Sequence, residues 1–333
     1  MHASVKFRIA EIINSTMPSA EWRLLKQIGV NEVVGTLPRD PSDWRGDQPD
    51  LPWDYAPLSS LKRRLSEYGL TLSAIEDNPP MEKIKYGVKG KEDELENVLR
   101  LIENMGRLKI GVWCYNWMAG QGWMRSRISI PDRGGAEVTG FSLSDIEEYP
   151  PPKMGKIDAE TLWKNLAWFL DNVIPVAEDS GVKIAMHPDD PPLEEIRGVS
   201  RIMNNVKAFD KLIEMKRSEY NTITLCQGNF TLMTEDLPSA IRHFVRKKAV
   251  SFVHFRDVKG KKDNFIESFI DDGKTDTASC MSAYIEEGFD GIMRTDHTPT
   301  LYGDTYKVPG YSILGRLHAI GYIQGLIDGV SMV

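Results

Sequence analysis

Short apolar runs alternate along this chain with longer segments in which apolar positions recur every three or four residues. The first pattern predicts buried strands of a parallel sheet, and the second predicts amphipathic helices packed over it. Val5 to Ala10, Asn31 to Thr36, Leu70 to Ile75 and Lys109 to Cys114 read as four strands. Val182 to Met186, Thr222 to Leu225, Val250 to Val253 and Gly291 to Met293 read as four more. Between them, Trp22, Leu25 and Ile28 behind a capping Ser19 predict a first helix, closed by Gly29. Leu58 to Tyr68 follows, and then Leu95, Val98, Leu99, Ile102 and Met105 on one face. Leu162 to Ala177 predicts a long helix whose last turn Pro175 should bend. Helices are also expected over Val199 to Glu214, Leu237 to Lys248, Thr277 to Glu287 and Tyr311 to Ile327.

Two stretches break the pattern. Leu37 to Tyr55 is rich in proline and aspartate, carries Trp44 and Trp53, and is long for a strand-to-helix connection. Residues 118–156 dissolve into glycine, proline and scattered charge, and read as a loop excursion or lid after the fourth strand. The alternation resumes beyond it, so residues 1–333 read as one domain. Eight strand–helix units with right-handed crossovers close into a single α/β domain, a (β/α)8 TIM barrel. An open doubly wound sheet is the competing architecture, but no glycine-rich phosphate loop follows any strand.

Composition narrows the class. Hydrophobic residues make up 41% and charged residues 27%, as in soluble globular proteins. A net charge of −7 argues against non-specific nucleic-acid binding, though local arginines can still receive a small anion. Three cysteines, Cys114, Cys226 and Cys280, are too few and too scattered for a disulfide framework. The start lacks the pattern of a signal peptide, and no apolar run approaches the ~18 residues of a membrane span. The expectation is a cytoplasmic protein with no membrane or nucleic-acid partner, acting on a small molecule as a homo-oligomer, with a dimer the simplest case.

In such a barrel, chemistry sits where the strands end. The last four predicted strands deliver His187, Cys226, His254 and Asp296 in order. A lone histidine or buried cysteine there would ordinarily be structural. Four consecutive strands ending in ligand-type residues predict a divalent-metal site instead. Thiolate and imidazole suit zinc or iron, and the carboxylate also admits manganese. Arg8, Asn116, Arg256 and Arg294 stand at predicted strand ends around them, and arginine there suggests a carboxylate-bearing substrate.

Several stretches resemble the mannonate dehydratase family of hexuronate catabolism. They are MHPDDPP (Met186 to Pro192), IPVAED (Ile174 to Asp179), CYNWM (Cys114 to Met118), MRTDH (Met293 to His297) and PGYSILGRL (Pro309 to Leu317). The resemblance runs through most of the chain in order. It implies a manganese-dependent lyase, with Fe2+ or another divalent ion as substitute, on a xylose-isomerase-like barrel. That lyase would convert D-mannonate, or a close aldonate, to 2-keto-3-deoxy-D-gluconate and water. It also implies that His187, Cys226, His254 and Asp296 hold the metal, while His297 and Tyr311 transfer protons. Thr295 and Thr298-Pro299 depart from the family's residues around the Asp-His pair. Two other classes compete: a metal-dependent sugar isomerase or epimerase, which would favour a carboxylate-rich metal shell, and a non-catalytic sugar-acid binder. Which of His297 and Tyr311 is base and which is acid stays open in the sequence.

Overall fold

The computed structural model describes residues 5–39, 50–304 and 308–331. Trp44, in the long connection after the second strand, lies outside the described residues. Eight parallel strands close into a barrel in sequential order, with the last pairing the first. They are Arg8–Ile12, Glu32–Gly35, Thr71–Glu76, Val112–Asn116, Lys183–His187, Asn221–Cys226, Val250–Phe255 and Ile292–Thr295. The expected strand count and order therefore hold, with boundaries displaced by a few residues. One displacement matters for function: the first strand begins at Arg8 instead of at Val5.

The barrel is filled by small residues packed around one large one. Ala10, Ala74 and Ala185 leave room for Phe252, with Val34, Val112, Cys114 and Ile292 completing the layer. Outside the barrel, a second apolar cluster lies between strands and helices. There Leu162, Leu166, Phe169, Leu170 and Val173 of the helix Ala159–Ser180 are fully buried. Asp158 caps that helix by accepting a 2.7 Å hydrogen bond from the Thr161 amide, and Gly181 ends it in the left-handed region. Pro175 lies inside a helix that continues to Ser180. Ser19 occupies the cap position of the helix Ala20–Gln27, yet its side chain makes no capping hydrogen bond.

Two expectations need correction. Val199 and Ser200 form a short hairpin with Glu195 and Ile196, and the helix starts only at Val206, where Asn205 caps it. The excursion at 118–156 is not a structureless loop. Its strands Arg127–Pro131 and Glu137–Ser142 join Val258–Lys261 and Asn264–Glu267 in a four-stranded antiparallel sheet. That sheet links the connection after the fourth barrel strand to the connection after the seventh, above the C-terminal ends of the strands.

The helix Ile313–Ser331 closes the outer ring and contains a pair of glycines with opposite surroundings. A Cβ on Gly315 would stand 2.0 Å from the Pro299 carbonyl oxygen, whereas one on Gly321 would meet nothing within 4 Å. Gly315→Ala should therefore destabilise the fold by ~1–3 kcal/mol, as overpacking does. Gly321→Ala should stabilise it by about 0.5–1 kcal/mol through the lost glycine entropy. Thermal unfolding of the two variants reads the opposite signs directly; equal shifts would mean the last helix does not seat against Pro299.

Candidate active site

Register builds the site. Asn116 pairs with His187, Cys226 with His254, and His254 with Arg294 across neighbouring parallel strands. Paired residues of parallel strands face the same side, so Cys226, His254 and Arg294 enter the barrel mouth together. A cavity of about 200 Å³ opens there, smaller than the ~300–1,000 Å³ of drug-sized pockets. Asn116, His187, His254, Asp296, His297 and Tyr311 line it, alongside Glu76, Asp190 and Trp123.

His187, Cys226 and His254 offer ligand atoms that all lie within 4.8 Å of one another. Bond lengths of ~2.0–2.3 Å would close that spacing with sub-ångström movement. Asp296 adjoins the group, with Oδ2 4.0 Å from Cys226 Sγ and 3.6 Å from His254 Nδ1. The His187 Nδ1 lies 2.7 Å from the Pro188 carbonyl oxygen, which can only accept. That nitrogen therefore carries a proton, and Nε2 is the ring nitrogen left to serve as a metal ligand once it is deprotonated.

The electrostatics favour a cation. Burial opposes the Cys226 thiolate, but the Arg256 guanidinium 3.3 Å from Sγ, with His187 and His254, pulls the thiol down to about 5. Burial likewise opposes ionised Glu76, yet Arg294 and His254 hold it at about 2. Asp296 stays well below the usual carboxylate range because His297, Arg294 and His254 outweigh its burial. Asp190 and Glu267 are also held low against burial, mainly by Arg125 and Arg256. The carboxylates of Glu76, Asp190, Glu267 and Asp296 and the Cys226 thiolate thus outnumber the guanidiniums of Arg125, Arg256 and Arg294 by two, a difference that protonated imidazoles or a bound cation would close.

His254 sits among them fully buried, with Nε2 3.3 Å from Glu76 Oε2 and Nδ1 3.6 Å from Asp296 Oδ2. Burial and Arg294 work against its protonation, but Glu76 and Asp296 drive it well above the ordinary range. A proton or a metal ion at His254 would each answer that demand, and binding the ion would release the proton. The donor set and the charge excess fit a divalent ion.

A second group, Glu76, Cys114 and His254, has similar spacing. It fits a cation less well. Burial with the Glu76 charge pushes the Cys114 thiol up, away from the thiolate a metal ligand must be, whereas the Cys226 thiol is pulled down.

The arginines depart from expectation. Arg8 begins the first strand level with Ile292, four residues before Asp296 on the adjoining strand, and so ~13 Å from the mouth. It is half-exposed and pairs with Glu32 at 3.0 Å. Arg256 and Arg294 do reach the mouth but are buried behind its wall. Arg256 spends its guanidinium on Glu267 at 2.8 Å, Asp190 at 3.0 Å and Asp296 at 2.9 Å. Arg294 spends its own on Glu76 and on Asp296 at 3.0 Å. They compensate the protein's own carboxylates rather than facing a ligand. Of the four residues expected to bind substrate, Asn116 alone lines the cavity.

Asp296 and His297 follow one another, and successive residues of a strand point to opposite faces. The chain resolves this by turning: His297 adopts φ +43°, a conformation uncommon for residues with a Cβ. Both side chains therefore line the same cavity. Tyr311 donates to Asp296 Oδ1 at 3.2 Å, and its ring lies 5.2 Å from that of His297. Burial, reinforced by Asp296, raises the Tyr311 phenol well above its usual range. Sequence reasoning missed Arg125 and Glu267. Arg125 contacts Asp190, Glu267 and His297, while Glu267 lies 3.0 Å from His297 Nδ1.

Comparison with known proteins agrees with the motifs. The D-mannonate dehydratase (UxuA) family profile matches residues 15–156 and 152–333. The mannonate dehydratase of Oceanobacillus iheyensis is 31% identical, over 84% of this chain and 86% of its own length. That of Thermotoga neapolitana is 32% identical over 92% and 93%. The crystal structure of mannonate dehydratase from Streptococcus suis serotype 2 superposes with a TM-score of 0.87 at 27% identity, covering 98% of this chain and 95% of that one. An L-ribulose 3-epimerase at 16% identity and TM-score 0.63 shares the fold alone.

The two candidate clusters make different predictions for metal content. Cys226→Ala should lose bound divalent metal by elemental analysis after dialysis, whereas Cys114→Ala should keep wild-type stoichiometry. Metal loss in Cys114→Ala would move the site to the Glu76 side of His254. The family profile, the relatives' coverage and the barrel with its ligand-bearing mouth agree, and the chain belongs to the D-mannonate dehydratase family.

Proposed function

We propose that this protein is a hydro-lyase that converts D-mannonate, or a close aldonate, to 2-keto-3-deoxy-D-gluconate and water. The observation that carries the reading is the mouth itself, where His187 and His254, with Cys226 behind them as a third possible metal donor, line one polar cavity with His297 and Tyr311. His187, Cys226, His254 and Asp296 would hold the ion, which we take as Mn2+ with Fe2+ as a substitute. When bound it supplies Lewis-acid stabilisation of the charge that develops beside the substrate carboxylate.

The remaining chemistry falls to side chains. The proton on carbon 2 is a very weak acid and must pass to a base as the carbon 3 hydroxyl leaves with a proton from an acid. Tyr311, its phenol kept protonated by burial and by Asp296, serves as the acid at its hydroxyl. The base is then His297. Loss of the carbon 2 hydrogen and the carbon 3 hydroxyl gives an enol, and its tautomerisation yields the 2-keto-3-deoxy acid. Asn116 contributes an amide to substrate binding from the cavity wall.

A thiolate in the donor set favours this reading over a sugar isomerase or epimerase. Among the described residues, no helix is long and apolar enough to cross a membrane. We place the enzyme in the cytoplasm, where its buried unpaired cysteines stay reduced, and expect a homo-oligomer.

The test is turnover. Manganese-loaded protein should form a 2-keto-3-deoxy acid from D-mannonate and leave D-mannose untouched, because the neutral sugar lacks the carboxylate that the proposed site would bind. His297→Asn should keep its metal while losing ~10²–10⁴-fold in turnover, the usual range for a lost acid–base group. Turnover of the aldose with none of the aldonate would place the protein among the isomerases. A metal-free His297→Asn rescued by excess manganese would make His297 a ligand.

A further inference from the structure

The two residues that sequence reasoning missed meet His297 on the side away from the metal donors. His297 Nδ1 lies 3.0 Å from Glu267 Oε1 and 2.9 Å from Arg125 Nη2. These neighbours make opposite demands. A carboxylate requires a proton on Nδ1, whereas a guanidinium, which only donates, requires a lone pair there.

Counting protons settles the conflict. Arg125 has five N–H protons. Nε–H points to Glu267 Oε1 at 3.0 Å. Nη1 serves the Met124 carbonyl at 2.8 Å and Asp190 Oδ1 at 2.7 Å. Nη2 serves Asp190 Oδ2 at 2.9 Å and Glu267 Oε1 at 2.6 Å. All five are placed on oxygen, so none remains for the histidine. Glu267, held ionised against its burial by Arg256 and Arg125, has about four lone-pair sites. Arg256 Nη1 takes Oε2 at 2.8 Å, while both Arg125 donors and His297 Nδ1 gather on Oε1, so a carboxylate oxygen is the acceptor that faces the His297 ring nitrogen.

We infer that Glu267 is the positioning residue of the reaction, accepting the Nδ1 proton of His297 in a hydrogen bond so that Nε2 alone exchanges protons with substrate. The inference rests on the reading of His297 as the proton-transfer group. Glu267 reaches His297 because it ends the strand Asn264–Glu267, whose neighbour Glu137–Ser142 belongs to the excursion that also carries Arg125. The two arginines hold the carboxylate from both sides, and the φ of +43° at His297 turns the ring to meet it. Both rim excursions thus contribute to the orientation of one imidazole.

The test has a spectroscopic arm that needs no substrate and a kinetic arm that does. In manganese-free, ¹⁵N-histidine-labelled protein, the His297 imidazole (identified by its disappearance in His297→Asn) should show its proton on Nδ1. That pattern should persist in Asp145→Asn, which breaks the Arg127 ion pair of the same rim without reaching Arg125, Glu267 or His297. It should be lost or averaged in Glu267→Gln, whose amide can present either a donor or an acceptor. In metal-loaded protein, Glu267→Gln should lower kcat at least ~10²-fold with KM and metal content unchanged, and Glu267→Asp should recover part of it. A wild-type imidazole protonated at Nε2 but not Nδ1 overturns the inference, as does Glu267→Gln with wild-type kcat. If the nitrogen pattern behaves as expected but D-mannonate is not consumed, the positioning role stands and the substrate reading falls.

Discussion

Everything at the mouth of this barrel depends on keeping mutually repelling anions together in a place that water barely reaches. An isolated buried carboxylate would take up a proton rather than remain charged. Here Glu76, Asp190, Glu267 and Asp296 stay ionised because Arg294, Arg125 and Arg256 are threaded between them. Asp296 is the hub, touched by Arg294, Arg256 and Tyr311. The guanidiniums do not complete the balance, and Glu76 and Asp296 both press on His254, which a proton or the proposed metal ion would answer.

The same network explains why the barrel alone does not build the site. The strands deliver ligand atoms, but the partners that orient them come from the rim. The small antiparallel sheet above the mouth ties residues 127–142 to residues 258–267. Arg125 and Glu267 are brought by those two excursions, so His297 meets partners from the rim while His187, Cys226 and His254 come from the strands. Trp123, half-exposed and edge-on to His297 at 5.2 Å, belongs to the same rim. Barrel enzymes vary chemistry through such loops while the strand scaffold stays fixed.

Much of this was legible in the sequence because buried parallel strands leave an unmistakable apolar run, and residues at their ends inherit a common destination. That is how His187, Cys226, His254 and Asp296 could be grouped before any coordinates were known. Arg8 was misplaced because a local pattern does not fix where a strand begins, and a shift of a few residues moves a side chain from one end of the barrel to the other. Arg256 and Arg294 were assigned to a substrate because an arginine at a rim signals an anion. Their anions are the protein's own carboxylates, contributed by positions up to 218 residues away. Glu267 and Arg125 lay in segments without helical or strand periodicity long enough to stand out. The alternation in Arg127-Ile-Ser-Ile-Pro131 and Glu137-Val-Thr-Gly-Phe-Ser142 was the available signal for the hairpin. Nothing local announces that its partner strand begins at Asn264.

The claim most open to direct test is that the buried negative excess is a cation site whose thiolate ligand is Cys226. Titrating Co2+ into chelator-stripped protein reads this optically, because a thiolate bound to cobalt gives a ligand-to-metal charge-transfer band. One equivalent should develop the band fully in wild type and in Cys114→Ala, and no band should appear in Cys226→Ser. A band that survives in Cys226→Ser, or that disappears in Cys114→Ala, would contradict the account.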